Sequence, residues 1–169
     1  MKINSYDVDI QPDDIRQINK PDSFKVRLTN EDVCLSKDMP IVIKYDYLDL
    51  EKTEYHFMQE FTRKDTQEYF SLMKRISSST VNQLEKIAKE LHFRRSPIRG
   101  NLKVALSQVL PNVVKTEPMI FHFGLYECDS KKANRETGER SPRVYFILGS
   151  YGFIYIIFFD PYHELNPVL

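Results

Sequence analysis

The chain has 169 residues, a length that suits one domain with its own hydrophobic core. Its 24 basic and 24 acidic side chains cancel, so overall charge argues neither for nor against a nucleic-acid-binding protein. The longest apolar run, Phe153 to Phe159, is far shorter than the ~20 residues that span a bilayer. The first residues lack the apolar core of a signal peptide. We therefore predict a soluble cytoplasmic protein that does not associate with membranes.

The N-terminal residues are polar and are predicted to be an irregular arm over residues 1–21. The rest, residues 22–169, is predicted to form one α+β domain. Ser23 to Leu28 is a weak strand candidate. Ile41 to Leu50 alternates apolar and polar side chains, which indicates a half-buried strand. Glu54 to Phe61 is predicted to be the next strand, joined to it by a polar hairpin connection.

The apolar period then changes to that of a helix. Asp65 to Ile76 is predicted as the first helix. Thr80 with Gln83 three residues later is a capping box, in which each side chain satisfies a free backbone N–H at a helix start, and it predicts a second helix to Leu91. A third helix is predicted from Asn101 to Leu110. The stretch between the second and third helices is predicted to be a basic loop.

The C-terminal third returns to strand character. Met119 to Glu127 is one predicted strand, and Arg143 to Leu148 and Phe153 to Phe159 form a hairpin around a turn with two glycines. The last run is apolar at every position, which indicates an interior strand buried on both faces. The predicted fold class is α+β: an antiparallel sheet with a C-terminal three-stranded meander, packed on one face against two or three helices.

Several side chains that can take part in proton transfer follow Phe159, the last residue of the predicted interior strand. They are Asp160, Tyr162, His163 and Glu164. A histidine held by a rigid strand beside a carboxylate can act as a general base. The alternative is structural, since Asp160-Pro161 is a turn starter and His163 can merely cap that turn. Both interpretations stay open at this point.

Basic side chains cluster where acidic ones are missing, between His92 and Thr116. The candidates for nucleic-acid binding are Arg94, Arg95, Arg99 and Lys103. Arginine grips phosphates through paired hydrogen bonds, and the neighbouring Phe93 can stack on a base. The alternative is a solvated helical face with a basic bias. Arg143 begins a strand and is predicted to share a sheet edge with the residues after Phe159.

No motif for a cofactor or a metal is present. Cys34 and Cys128 lie far apart, and the four histidines show no metal-ligand spacing. Phosphate-loop, dinucleotide and serine-hydrolase signatures are also missing. We therefore predict no cofactor and no metal.

Two resemblances follow from the motifs. The segments YHFMQEF and ISSSTVNQLEKI, the pair His92-Phe93 and the closing FFDPYH resemble a group of small bacterial proteins of phages and other mobile elements. That group implies no activity. Helices followed by RVYFIL, FIYIIFF and a terminal histidine also look like the RelE/ParE toxin fold. This second resemblance implies an endoribonuclease in which Arg143 and His163 are the catalytic residues that contact RNA.

The leading prediction is a nucleic-acid-directed protein of mobile-element type, a RelE-like toxin of a toxin–antitoxin pair. Its arginines would hold phosphates, while Arg143 and His163 would stabilise charge and move protons. The alternative is a non-enzymatic interaction module that binds a protein partner through its acidic N-terminal third or its aromatic sheet.

Overall fold

A computed structural model describes residues 38–58, 60–114, 118–126, 128–149 and 152–167. The predicted arm, the strand candidate Ser23 to Leu28, the acidic N-terminal third up to residue 37, and Cys34 lie outside the described residues. In chain order the elements are β1 (Val42–Lys44), α1 (Arg63–Ser77), α2 (Val81–Lys86), β2 (Arg94–Ser96), α3 (Gly100–Val109), α4 (Pro111–Val114), β3 (Ile120–Gly124), β4 (Arg143–Leu148) and β5 (Phe153–Asp160). The α+β class is confirmed.

The five strands form one mixed sheet in the order β1-β5-β4-β3-β2. The pairs β2–β3, β3–β4 and β4–β5 are antiparallel, whereas β1 runs parallel to β5 with Val42 opposite Phe153. The prediction of a purely antiparallel sheet is therefore wrong. Parallel neighbours need a long crossover connection, and here every other element of the described residues lies between the two strands. The local sequence of β1 contains no pattern that indicates its pairing with the distant strand β5.

Strand β5 lies inside the sheet, between β1 and β4. From Ile156 to Asp160 every residue is buried, whereas Phe153 and Tyr155 at the other end are half-buried. The prediction of an interior strand buried on both faces is confirmed. A strand that is apolar at every position needs cover on both sides.

Helices accordingly pack on both faces, and the prediction that they lie on one face is wrong. Helices α1 and α2 cover the first face, where their core side chains meet Phe123, Val144, Phe146, Ile156 and Phe159. Helix α3 covers the second face, where Leu102, Ala105 and Leu106 meet Ile120, Tyr145, Ile157 and Phe158. We call these the α1 face and the α3 face.

The helix predictions are confirmed, with changes at their ends. Thr80 accepts a hydrogen bond from the Gln83 backbone at 3.3 Å, and the Gln83 side chain accepts one from the Thr80 backbone at 2.8 Å. Helix α2 ends at Lys86, earlier than predicted, and turns follow. Helix α1 has a second capping box, between Thr62 and Asp65. None of the helices in the described ranges has the length and apolar character that a membrane span requires.

The predicted strand from Glu54 to Phe61 is wrong, because the described residues of this stretch form turns, bends and irregular chain. The Asp49 carboxylate accepts hydrogen bonds from the backbone N–H groups of residues 51–53 and so curls the chain after β1. Phe57 and Phe61 then pack on Phe159, with ring centroids 5.5 and 4.8 Å away. Their aromatic character indicated burial and not strand.

The predicted basic loop contains a short edge strand, β2. Its residues Arg94, Arg95 and Ser96 pair with His122, Phe121 and Ile120 of β3. Two arginines on a three-residue edge strand discourage pairing with another chain. The strand also gives the two arginines opposite directions, because successive side chains of a strand point to opposite faces.

Candidate functional site

The strand register brings polar residues together at one end of the α3 face. Arg94 is the cross-strand partner of His122. In the next row, Gly124 is opposite Arg143, and Arg143 is opposite Asp160. Directly opposed side chains lie on the same face of a sheet. One end of this face therefore carries two arginines, a histidine and a carboxyl group.

Arg143 is only 2% exposed. Its Nη1 donates to the Pro142 carbonyl at 3.1 Å and lies 3.8 Å from Cys128 Sγ, and its Nη2 donates to Ser130 Oγ at 2.6 Å. Its Nε has no hydrogen-bond partner. Within the described ranges, no carboxylate forms an ion pair with it. Buried charges are usually paired, so a guanidinium held by neutral groups leaves a strongly electropositive site.

His163 lies in the turn after β5 and is 7% exposed. Neither of its ring nitrogens has a hydrogen-bond partner among the residues described. The pKa of His163 is lowered to about 4, mainly by burial and in smaller part by the charges of Arg143 and Arg94. The imidazole is therefore neutral at pH 7, with one N–H and one lone pair free to bind.

His122 lies beside His163, with ring centroids 5.6 Å apart and an interplanar angle of 64°. It is 5% exposed, and its Nδ1 is 2.7 Å from Ser96 Oγ. Burial is the main cause that lowers the pKa of His122 to about 3, followed by the nearby His163 and Arg143. This second imidazole is also neutral at pH 7.

Gly124 allows a third histidine to approach. A Cβ at this position would lie 3.1 Å from both Arg143 Nη1 and His92 Cδ2. His92 and His163 have φ values of 49° and 61°, and Glu60 is the other non-glycine residue with positive φ in the described part of the chain. Such conformations are rare and gather at functional sites. We call Arg94, His92, His122, Arg143 and His163 the Arg143 cluster.

Asp160 positions His163. One of its carboxylate oxygens accepts hydrogen bonds from the backbone N–H groups of Tyr162 and Glu164 at 3.2 and 3.1 Å. The other accepts one from Leu165 at 2.8 Å. Burial raises the pKa of Asp160 to about 6, against the effect of these three bonds. The interpretation of Asp160-Pro161 as a turn starter is confirmed.

The remaining polar side chains of this turn do not join His163. Glu164 pairs with Arg135 at 2.7 Å, and Arg135 also pairs with Glu60 at 2.9 Å. The Tyr162 ring lies near two guanidinium carbons, 5.0 Å from that of Arg135 and 5.5 Å from that of Arg140. Arg135 and Arg140 belong to the connection between β3 and β4, which contains no recognisable sequence motif. No local signal therefore indicated these ion pairs and ring contacts.

The four predicted nucleic-acid-binding residues are all exposed but do not form one group. Arg94 lies on the α3 face with the Arg143 cluster, whereas alternation along β2 directs Arg95 to the α1 face. Arg99 is the N-cap of α3, and Lys103 lies one turn later on the same helix. The structure thus brings Arg94, Arg143 and His163 together and separates Arg95 from them.

Comparisons with protein-family models, with curated proteins and with solved structures found no match. The resemblances to mobile-element proteins and to the RelE/ParE fold therefore stay predictions.

Two surface clefts lie away from the Arg143 cluster. One, of about 320 Å³, is lined by residues that include Glu54, Tyr55 and Asn101. The other, of about 410 Å³, is lined by residues that include Tyr47 and Leu110. Among the described residues, no group of three or more His, Cys, Asp or Glu side chains is arranged to hold a metal ion. The chemistry available at the cluster is that of one buried cation, one exposed cation and neutral imidazoles, beside the buried carboxyl group of Asp160.

Proposed function

We propose that this protein is nucleic-acid-directed and that the Arg143 cluster binds a phosphate group. The observation that carries the proposal is the buried guanidinium of Arg143, which forms no ion pair within the described residues. The carboxylate of its cross-strand neighbour Asp160 accepts hydrogen bonds from backbone N–H groups instead. The charge of Arg143 lowers the pKa of His163, so the two side chains are close enough to interact. Both ring nitrogens of His163 lack a hydrogen-bond partner. A phosphate satisfies both groups, because it supplies negative charge to Arg143 and acceptor oxygens to an imidazole N–H.

Arg94 supplies the exposed part of this binding site. It lies on the same face as His122, and its charge acts on both His122 and His163. An exposed cation at the edge of a buried electropositive site attracts anions from solution and speeds their association. Arg99 and Lys103 extend the positive charge along α3, where they can contact further phosphates of a strand.

The RelE-like resemblance implies ribonuclease activity, and the cluster has groups for it. In this reaction neutral His163 takes the proton of a ribose 2′-OH, and the resulting oxygen attacks the adjacent phosphorus. The bond to the 5′ oxygen breaks, and that oxygen takes a proton from water, which leaves a 2′,3′-cyclic phosphate. Arg143 stabilises the negative charge that develops on the phosphate oxygens.

Adjacent arginines on one strand provide a matched test of binding. Both Arg94→Gln and Arg95→Gln remove one exposed positive charge from β2, but only Arg94 lies on the face of the cluster. We expect Arg94→Gln to weaken binding of single-stranded RNA and to reduce the slope of log K against log salt by about 1. Arg95→Gln should bind like the wild type. RNA cleavage is measured in the same samples.

The proposal is wrong if the wild type does not bind RNA at low salt, or if both variants weaken binding equally.

A second candidate function, a protein-interaction module, is favoured by exposed apolar side chains at the β1 edge of the sheet. Val42 and Tyr45 are 42% and 47% exposed there. An absence of RNA binding would favour this second function.

A further inference from the structure

The depth of the Arg143 cluster restricts which phosphate can reach it. Arg143 is 2% exposed and His163 is 7% exposed, and both ring nitrogens of His163 are buried. An internal phosphodiester has a sugar on each side, so it brings its oxygens close to buried groups only where the strand bends sharply. A terminal phosphate has a sugar on one side only and does project.

We infer that the Arg143 cluster binds the terminal phosphate monoester of a single-stranded nucleic acid, so that the protein engages a strand end. This inference rests on the proposed function and specifies its substrate class. If it holds, the buried groups contact the end phosphate, while the exposed cations contact the phosphates that follow.

The number of donors in the cluster suits a monoester better than a diester. A terminal phosphate carries a charge of about −1.5 to −2 at pH 7 and has three strong acceptor oxygens. An internal phosphodiester carries one charge and has two such oxygens. Arg143 Nε and a His163 ring N–H are unpartnered donors, and the guanidinium has further N–H groups bound only to neutral partners.

The group that a phosphate would displace is the hydroxyl of Ser130. This hydroxyl accepts the 2.6 Å hydrogen bond from Arg143, and Cys128 Sγ lies on the other side of the guanidinium. Both residues are half-buried and belong to the connection between β3 and β4. A charged acceptor binds a guanidinium more strongly than a neutral hydroxyl does, so the exchange favours the phosphate.

The test compares oligonucleotides that differ only at one end. Ten-nucleotide RNAs with a 5′-phosphate or a 5′-hydroxyl carry a dye at the 3′ end, and a second pair with a 3′-phosphate or a 3′-hydroxyl carries it at the 5′ end. Binding is followed by fluorescence anisotropy. We expect one phosphorylated end to bind at least about tenfold more tightly than its hydroxyl counterpart, as one added charge-assisted hydrogen bond predicts. His163→Asn should abolish this preference, because it removes a buried group that contacts the end phosphate, and Arg95→Gln should keep it.

Each other outcome identifies which statement fails. Equal, Arg94-dependent binding of all four RNAs overturns the inference about strand ends but supports the proposed function. A preference for phosphorylated ends that is unchanged in His163→Asn places the site elsewhere and overturns the inference. Absence of RNA binding overturns both. Binding of inorganic phosphate or a nucleoside monophosphate without binding of RNA identifies a free phosphate compound as the ligand and also overturns both.

Discussion

His163 combines three properties that rarely occur in one residue: it is buried, it has positive φ, and its ring nitrogens lack partners. Burial without hydrogen bonds destabilises a polar group, and positive φ adds strain. A purely structural turn residue gains nothing from this arrangement. The backbone conformation also determines which substitutions test the imidazole alone, because asparagine tolerates positive φ far better than most residues do.

The first prediction compares His163→Asn with His163→Ala. Both remove the imidazole, so both should abolish phosphate-dependent RNA binding and any cleavage. His163→Ala should in addition destabilise the fold by about 1 kcal/mol relative to His163→Asn, because alanine resists the φ of 61°. Thermal unfolding and anisotropy on the same samples separate the effects. If His163→Asn binds RNA like the wild type, His163 has no part in recognition.

The second prediction concerns stability in acid. The pKa values of His122 and His163 are about 3 and about 4 in the folded protein, below the ordinary 6.5. Between pH 6.5 and 4 the unfolded chain therefore binds protons that the folded chain does not. The free energy of unfolding consequently decreases as the pH is lowered through this range. Asp160 opposes this, because its pKa of about 6 lies above the ordinary 3.8 and its protonation stabilises the fold.

The net effect is a protein less stable at pH 5 than at pH 7.5, by roughly 2.5 kcal/mol from these three groups. Urea unfolding at a series of pH values measures it. His163→Asn should reduce the slope between pH 6.5 and 5, because one of the two titrating imidazoles is gone. An unchanged slope in that variant would show that His163 titrates normally and is accessible to water.

At the scale of elements, two of the helices begin at residues whose side chains form hydrogen bonds with the first turn. Thr62 and Thr80 each cap a helix through a capping box with the residue three positions later. The two boxes differ in burial, because Asp65 in the first is fully buried whereas Gln83 in the second is exposed. A substitution in the second box therefore measures how much the cap contributes to stability without a change in buried tertiary contacts.

The third prediction is that Thr80→Ala lowers the free energy of unfolding by about 1 kcal/mol. The side chain accepts one hydrogen bond from the Gln83 backbone N–H, and alanine leaves that donor to water. Thr80→Ser is the matched control, because it keeps the hydroxyl and should stay close to the wild type. Denaturant unfolding checks both, and equal loss in the two variants would mean that the threonine methyl group contributes and the cap does not.

At the scale of the whole molecule, the connection between β3 and β4 ties distant elements together. Arg140 pairs with Asp65 of α1 at 2.6 Å, and Arg135 pairs with Glu164 of the C-terminal turn. Asp65 is fully buried and also accepts a hydrogen bond from the Tyr126 hydroxyl. The same connection carries Ser130 to Arg143, so these ion pairs also position one wall of the Arg143 cluster.

The fourth prediction is that Asp65→Asn lowers the free energy of unfolding by about 2–4 kcal/mol. The change leaves the largely buried Arg140 without its anion, which is the costly way to break such a pair. Glu90→Gln is the control, because it breaks the exposed pair of Glu90 with Arg75 and should leave stability near that of the wild type. Similar thermal stability of Asp65→Asn and the wild type would contradict the buried ion pair.

The sequence by itself determined what depends on neighbours within a few residues. The period of apolar side chains identified the helices and the interior strand β5, and the spacing of Thr80 and Gln83 identified a helix start. These signals are local, because capping and amphipathic periods act over three or four positions. Arg143 and His163 were singled out as candidates, and Asp160 was recognised as a turn starter.

Only the tertiary structure decided how those pieces meet. It placed β1 parallel to β5, made a strand of the predicted basic loop, and set helices on both faces of the sheet. It also grouped Arg143 and His163 with His92 and His122, separated Arg95 from Arg94, and explained why a glycine lies at position 124. Strand register joins residues far apart in the chain, and one step in register reverses every side chain. That is the physical reason why the composition of the site could not be read from the sequence alone.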